Sequence, residues 1–188
     1  DAESLEVKAV CKSALLEEET EAGSRERERA REAIRRTRAK EFQHDSAGIE
    51  LGYRYDRSPI CVPGGTPPPP LDHATYVPTT SPGARAPHAW LADGRSTLDL
   101  FGLGFVLLVL APNGPDTSAF TGAAEKVGLP LIVVTLDDPE ARKLYERRLV
   151  LVRPDGHVAW RADAVPDNAR EIIEQVRGAA AAPRGSRR

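Results

Sequence analysis

Two short apolar runs stand out in the hydrophobic pattern of the second half of the chain. Residues 105–111 (FVLLVLA) are apolar at odd and even positions alike, which predicts a central strand covered on both faces, and residues 131–136 (LIVVTL) form a second apolar, β-branched strand. Between them, apolar residues at helical spacing follow Pro115 and stop at Gly128, and they are Phe120, Ala123, Ala124 and Val127. The pattern therefore predicts a strand, helix, strand unit with a right-handed crossover.

Two further helices are predicted downstream. Asp138 and Pro139 suit the N-cap and the first position of a short helix. A last helix is expected between an Asp167 N-cap and Gly178. Its apolar stripe has the i, i+3, i+4, i+7 spacing of one buried face, and consists of Ala169, Ile172, Ile173 and Val176.

A hairpin is predicted between these two helices. Residues 149–152 and 157–160 are apolar-rich and flank the turn at 153–156 (RPDG), where proline and glycine favour an antiparallel connection. Short extended pieces are expected at 88–91 and 96–100. The order strand, helix, strand, helix, hairpin, helix predicts an α/β fold of thioredoxin-like type, with a central mixed sheet and flanking helices.

The amino-terminal part of the chain has a sparser apolar pattern. Residues 1–42 are predicted to be helical, as one interrupted helix or as two helices. Gly23 and Ser24 are interpreted as a break followed by an N-cap. The thin apolar stripe favours a helix whose buried face belongs to a partner surface, and it consists of Leu15, Leu16, Ala22, Ala30, Ile34 and Phe42.

Proline marks the boundary between the two parts. Residues 59–87 contain nine of the 16 prolines, and such a segment favours extended structure because it lacks backbone donors. The predicted organisation is a helical arm with its following strap at 1–58 and a proline-rich linker at 59–87. A thioredoxin-like domain at 88–178 and a disordered tail at 179–188 complete it.

Composition and charge argue against several classes of protein. The net charge is -2, so no overall field attracts nucleic acid or an anionic membrane. The longest apolar run is far below the ~20 residues of a membrane span, and no secretory signal pattern opens the sequence. A cytoplasmic protein without a membrane partner is the simplest expectation.

One local charge excess leaves an alternative open. Residues 25–40 carry eight basic and three acidic side chains, which would suit a nucleic-acid-binding helix. Supporting aromatic or flanking basic residues are absent from that segment, so a partner-binding helix is favoured and nucleic-acid binding is not expected.

The residues required for thiol redox chemistry are missing from the predicted fold. A working thioredoxin needs a cysteine at the start of the helix after its first central strand, but residues 112–118 contain none. The position of the usual cis-proline is occupied by residues 146–148 (ERR). Cys11 and Cys61 show neither disulfide nor zinc-ligand spacing, so two free thiols and no metal site are expected.

The histidines and one pair of tyrosines are candidate binding residues. His44 and His73 are expected to be solvated, His88 to pack locally, and His157 to be exposed after the hairpin turn. Tyr53 and Tyr55 suit a stacking platform for a base or an aromatic ring. Burial of both rings against another protein surface is the favoured interpretation.

Three segments together resemble a known family. They are ELGYRYDRSPI at 50–60, PGARAPHAWLADGRSTLDLFG at 82–102 and LVLVRPDGHVAW at 149–160. In this order they resemble the carboxy-terminal part of class A flavoprotein aromatic hydroxylases, the phenol hydroxylase and polyketide hydroxylase group. The resemblance extends from about residue 41 to residue 178.

The resemblance implies a structural piece of a larger enzyme that uses FAD and NAD(P)H to hydroxylate aromatic rings. A glycine-rich turn for the FAD pyrophosphate would follow a strand, whereas Gly102 and Gly104 precede one and Leu107 stands where the third glycine is needed. No catalytic, cofactor-binding or metal residue is therefore assigned to this chain. The residues expected to contact the flavoprotein body, in the same or a separate chain, are Tyr53, Arg54, Tyr55, Arg85 and Arg95.

Two functional hypotheses remain at this stage. In the first, the chain is the carboxy-terminal, redox-inactive portion of an aromatic monooxygenase, supporting domain packing or a homodimer contact. In the second, it is a free-standing thioredoxin-like module that binds a partner without chemistry.

Overall fold

The computed structural model describes residues 2–38, 46–64 and 66–179. Its contacts divide the chain into two compact units. The helical unit comprises residues 1–50 and 72–76, and the sheet unit comprises residues 51–71 and 77–188. No helix in the described ranges is both long and apolar enough to cross a membrane.

Helices form the helical unit, as the sequence predicts. They are α1 at Ala2–Val10, a short 3-10 helix at Ala14–Glu17, α2 at Glu21–Arg38 and a single turn, α3, at Ala47–Glu50. Two main helices are thus confirmed within the described residues. The predicted helical positions 39–42, together with His44, lie outside them.

The predicted break at Gly23 and Ser24 is wrong. The chain breaks earlier, and α2 continues through both residues. Thr20 caps the helix instead, because its Oγ1 accepts a hydrogen bond from the backbone N of Gly23 at 3.1 Å. Gly23 is required there by packing, since a Cβ would lie 2.1 Å from the carbonyl oxygen of Glu18.

The helical unit buries little apolar surface of its own. Among its described residues, the buried apolar side chains are Val10, Ala30 and Ala33. Polar contacts supplement them, since Arg27 Nη1 donates to the carbonyl oxygens of Leu16 at 2.9 Å and Glu18 at 2.8 Å. This unit therefore depends on helix propensity and polar contacts more than on a core.

A four-stranded mixed sheet organises the sheet unit. The strands are β1 at Phe105–Val109, β2 at Leu131–Thr135, β3 at Leu149–Val152 and β4 at Val158–Ala162. Their order is β2-β1-β3-β4; β1 and β2 are parallel, and the other neighbours are antiparallel. The predicted α/β fold with its thioredoxin-like strand order and hairpin is thus confirmed.

Helices flank the sheet: α4 at Ser118–Lys126, α5 at Pro139–Tyr145 and α6 at Ala169–Val176. The predicted Asp138 cap is confirmed, since its side chain accepts from the backbone N of Ala141 at 2.9 Å. The predicted Asp167 cap is shifted by one residue, because α6 begins after Asn168.

The expected extended piece at 96–100 is wrong in part. Residues Thr97–Leu100 form a 3-10 helix rather than a strand. Ser96 and Asp99 form a capping box around its start, which satisfies backbone donors that a strand would have left for a neighbour. Ser96 itself still forms an isolated bridge with Trp90.

Strand β1 is buried on both faces, as its unbroken apolar run predicts, whereas the edge strand β2 is partly exposed, with Ile132 at 59%. On one face, Leu107 and Leu151 pack with α4 and α6 side chains such as Phe120 and Ile173. The opposite face packs against α5, where Tyr145 is fully buried. Burial of this kind is the main favourable contribution to the stability of such a unit.

Proline-rich residues follow the outer edge of β4. We call residues 61–64, 66–69 and 79–86 the wrapping segments. The backbone N of Val62 donates to the carbonyl oxygen of Ala159 at 2.8 Å, and the N of Gly83 donates to that of Val158 at 2.8 Å. Hydrogen bonds of this kind cover an edge that would otherwise be open to pairing. The predicted limits of the linker and the domain stay predictions, and the tail beyond residue 179 lies outside the described residues.

Candidate functional site

The segment that carries the two predicted tyrosines is fixed by backbone pairing. Arg54 forms an isolated bridge with Ala84, and the backbone N of Tyr55 donates to the carbonyl oxygen of Gly83 at 2.9 Å. Gly83 has a φ of 93°, and a Cβ there would lie 2.7 Å from the carbonyl carbon of Tyr55. Glycine is therefore required for this close approach of two backbones.

Tyr53 and Tyr55 form an aromatic cluster with His157. The two tyrosine rings meet edge to face at 5.6 Å, and their centroids lie 5.4 Å and 5.0 Å from the imidazole. The tyrosines are 42% and 45% exposed, so one side of each ring faces outward. Tyr53 raises the pKa of Tyr55 above its ordinary value, by its charge and by a hydrogen bond that favours the neutral phenol.

His157 is buried, so the prediction that it is exposed is wrong. Its relative exposure is 5%, because the two tyrosine rings pack against it. Its Nδ1 lies 3.2 Å from the carbonyl oxygen of Asp155, and its backbone N donates to Asp155 Oδ1 at 3.1 Å. Its Nε2 is buried and has no hydrogen-bond partner among the described residues.

Arg153 completes the polar side of the cluster. One of its Nη atoms lies 2.6 Å from Asp155 Oδ2, and its guanidinium carbon lies 5.9 Å from the centroid of the Tyr55 ring. The Asp155 carboxylate is thus already paired with a cation.

A hollow opens beside this cluster. It has a volume of about 360 Å³ and is lined by Tyr53, Arg85, Leu98, Phe101 and the turn residues 154–157. Arg85 is half-buried and lies directly opposite His157 in an antiparallel bridge. Three of the five predicted contact residues, Tyr53, Tyr55 and Arg85, are therefore brought together around the imidazole.

The other two predicted contact residues lie elsewhere. The Arg54 side chain is only 8% exposed, and it donates to the carbonyl oxygen of Pro69 at 2.8 Å and pairs with Asp56 at 3.2 Å. Arg95 is exposed and pairs with Asp93 at 2.6 Å. Arg54 therefore stabilises the packing of its own segment, and Arg95 stabilises a local turn.

The sequence gives little indication of one buried arginine. The Arg161 side chain in β4 is 1% exposed, and its guanidinium donates to Glu146 Oε2 at 2.6 Å. It also binds both wrapping segments, through Thr80 Oγ1, Ser81 Oγ and the carbonyl oxygen of Thr66, each at 3.1 Å. A strand pattern alone does not reveal it, because its partners lie up to 95 positions away.

The remaining candidate residues do not form a further site. His73 is exposed as expected, whereas His88 is exposed and meets Trp90 edge to face at 5.0 Å. Both cysteines are free, Cys11 exposed and Cys61 buried. Within the described ranges, no group of three or more His, Cys, Asp and Glu side chains is placed to hold a metal ion.

Comparison with known proteins gives a consistent family assignment. Residues 79–180 match the family model described as aromatic-ring hydroxylase, C-terminal. The FAD-dependent monooxygenase apdD of Emericella nidulans is 43% identical over 146 residues, which cover 72% of this chain and 23% of that protein. The phenol 2-monooxygenase of Pseudomonas sp. strain EST1001 is 30% identical over 174 residues, covering 82% of this chain and 28% of that protein.

Solved structures extend the similarity to three dimensions. A structure of RebC soaked with chromopyrrolic acid and containing bound 7-carboxy-K252c superposes with a TM-score of 0.69 at 43% identity. The alignment covers 89% of this chain and 31% of RebC. The chain thus spans between 23% and 31% of the length of these relatives.

Proposed function

The chain belongs to the aromatic-ring hydroxylase C-terminal family, and on that premise we propose that it is the carboxy-terminal structural portion of an aromatic ring monooxygenase. The enzyme as a whole would use FAD and NAD(P)H to hydroxylate an aromatic ring in the cytoplasm. The observation that carries the proposal is the family match over residues 79–180, which includes the whole mixed sheet.

The start of α4 supports a role without thiol chemistry. In the thioredoxin-like arrangement a reactive cysteine would lie there, where the helix dipole stabilises a thiolate. The N-cap here is Thr117, followed by Ser118. Cys61, in turn, is buried beside β4, with its Sγ 3.8 Å from the carbonyl oxygen of Val158. The sheet unit in this proposal is a packing domain, and the cofactors bind to residues outside this chain.

The flavoprotein body is the proposed partner of the helical arm and of the tyrosine cluster. The outward faces of Tyr53 and Tyr55 and the half-buried Arg85 support a contact there. Aromatic and arginine side chains are enriched at the centres of protein interfaces, which fits this composition. Arg54 and Arg95 contribute to the contact only indirectly in this proposal, since each is engaged locally.

A homodimer contact is a further part of the proposal. Strand β2 lies at the end of the sheet opposite β4, and its Ile132 is 59% exposed. An edge strand with an exposed apolar side chain favours pairing with a second copy. Sedimentation of the purified protein should show a dimer that Ile132→Lys converts to a monomer; a monomer at all concentrations contradicts this contact.

A flavin-retention assay tests the proposal that the FAD site lies outside this chain. The purified protein is mixed with excess FAD and then desalted, and its absorbance between 350 and 500 nm is recorded. We expect no retained flavin, and no consumption of NADH or NADPH above background with phenol present. Stoichiometric flavin after desalting would show that the cofactor site lies on this chain and would overturn the proposal.

A further inference from the structure

Arg85 and His157, which line the hollow, form a closely spaced antiparallel residue pair. The backbone N of Ala86 donates to the carbonyl oxygen of Gly156, and the N of Val158 donates to that of Ala84, each at 2.8 Å. These bonds flank the pair of Arg85 and His157, which is therefore of the non-hydrogen-bonded kind. In such pairs the Cα atoms are about 4.5 Å apart. The two side chains project from the same face of the pair, close enough to contact each other.

Each side chain of this pair has nitrogen atoms without a hydrogen-bond partner among the described residues. Among the described residues, the Arg85 guanidinium has no hydrogen bond or ion pair, although Arg85 is half-buried. His157 Nδ1 faces the carbonyl oxygen of Asp155, so this nitrogen donates and Nε2 is left without a partner. No Arg85 nitrogen is both buried and unpaired, so the guanidinium is open to water, and a ligand carboxylate would replace that water with a charge-assisted hydrogen bond.

The Asp155 carboxylate, which lines the hollow, does not pair with the Arg85 guanidinium. Asp155 is held by Arg153 at 2.6 Å and by the backbone N of His157 at 3.1 Å. Arg153 therefore neutralises Asp155, and the positive charge of Arg85 remains uncompensated within the described residues.

We propose that this hollow binds a small ligand with a carboxylate on an apolar body. Arg85 would hold the carboxylate through two parallel N–H donors, a geometry that suits guanidinium and carboxylate. The His157 ring would line the site beside this carboxylate. Leu98 and Phe101 supply the apolar wall.

The size of the hollow supports a small ligand. Its volume of about 360 Å³ falls within the range of roughly 300–1,000 Å³ that is common for small-molecule sites. This inference goes beyond the proposed structural role. It depends only on residues of the sheet unit, so its failure would leave the assignment of the cofactors untouched.

Titration of the 188-residue protein with sodium benzoate tests the inference. Nitrogen NMR of the Arg85 side chain and of the His157 ring is followed at constant ionic strength. We expect saturable shifts at both residues with a dissociation constant on the order of 1 mM. Arg85→Gln should weaken binding at least about tenfold, because the charged donors are lost.

Three controls make the result specific. Arg95→Gln removes an exposed arginine of the same unit that already pairs with Asp93, and it should bind benzoate like the unchanged protein. Benzamide, which has the same shape without the charge, should bind at least about tenfold more weakly. Acetate should also bind more weakly because it lacks the apolar body.

Each contrary result overturns a stated part of the inference. Absence of saturable shifts excludes the site, and equal affinity for benzamide excludes recognition of the carboxylate. Equal affinity for acetate would instead indicate that an acidic protein side chain is the natural occupant. The comparison of benzoate with benzamide needs no variant, so the test stands even if Arg85→Gln does not fold.

Discussion

The sheet unit and the helical unit differ in how they are stabilised. The sheet unit buries apolar side chains on both faces of its sheet, whereas the described part of the helical unit buries Val10, Ala30 and Ala33. The helical unit also leaves Leu15 and Ile49 exposed, at 39% and 44%. A unit with so small a core gains little from burial, so it requires further surface for full stability.

The same contrast appears in the polar contacts of the two units. In α2 the ion pairs lie on the helix surface, such as Arg31 with Glu28 and Arg35 with Glu32. In the sheet unit, Arg161 is buried and joins four groups from distant parts of the chain. Exposed pairs contribute little to stability. The Arg161 guanidinium instead connects segments far apart in sequence, although its Nε is buried without a hydrogen-bond partner among the described residues.

Removal of a core side chain of the sheet unit should lower the free energy of unfolding more than any other substitution proposed below. Phe120 is fully buried, and its ring lies 4.9 Å from Trp160. Phe120→Ala should lower the free energy of unfolding by about 3–5 kcal/mol because it leaves a cavity. Denaturant unfolding followed by tryptophan fluorescence measures this change.

The matched control lies in the helical unit. Leu15→Ala should change the free energy of unfolding by less than about 0.5 kcal/mol, because Leu15 is 39% exposed. Similar losses for the two variants would contradict the view that only the sheet unit has a substantial core.

Loss of the buried arginine should have the next largest effect. Arg161→Met removes four hydrogen bonds and leaves Thr80 and Ser81 without their donor. Because the paired Glu146 side chain is 43% exposed and can be hydrated, we expect a loss of about 2–3 kcal/mol. Hydrogen exchange at residues 80–86 should accelerate together with this loss. Arg95→Met is the control and should have no measurable effect, and unchanged exchange in Arg161→Met would show that this residue does not hold the wrapping segments.

A smaller effect is expected from a glycine substitution in a wrapping segment. Gly83→Ala places a Cβ 2.7 Å from Tyr55 backbone at a φ of 93°, so the free energy of unfolding should fall by about 1–3 kcal/mol. Gly64→Ala meets no atom within 4 Å and should be neutral or slightly stabilising. Thermal unfolding of both variants compares them directly. If the two melt alike, the close approach at Gly83 does not contribute to the position of Tyr55.

The strands of the sheet could be predicted because the sequence features that favour each strand lie within a few residues of one another. The run at residues 105–111 is apolar on both faces, as a covered strand requires, and β1 within it is buried. Asp138 and Gly156 likewise act within a few positions, as an N-cap and as a turn residue with a φ of 77°.

The candidate site could be predicted only in part, because its contacts are distant in sequence. The likeness of residues 50–60 to a family indicates Tyr53 and Tyr55, but not the histidine that packs against both rings. His157 follows a polar turn, and its burial depends on rings about 100 positions earlier. The prediction of a helix break at Gly23 is wrong for a similar reason, since the close contact of Gly23 with Glu18 is not apparent from a pattern of helix breakers.

Native-state hydrogen exchange tests the central contrast most directly. We predict that amides of β1 and β3 exchange only through global unfolding, whereas those of α1 and α2 exchange through local opening with a much lower free energy. Such a result fits a helical unit that is completed by a flavoprotein body. Equal protection of α2 and β1 in the isolated protein would contradict it, since the helical unit would then be as stable as the sheet unit without a partner.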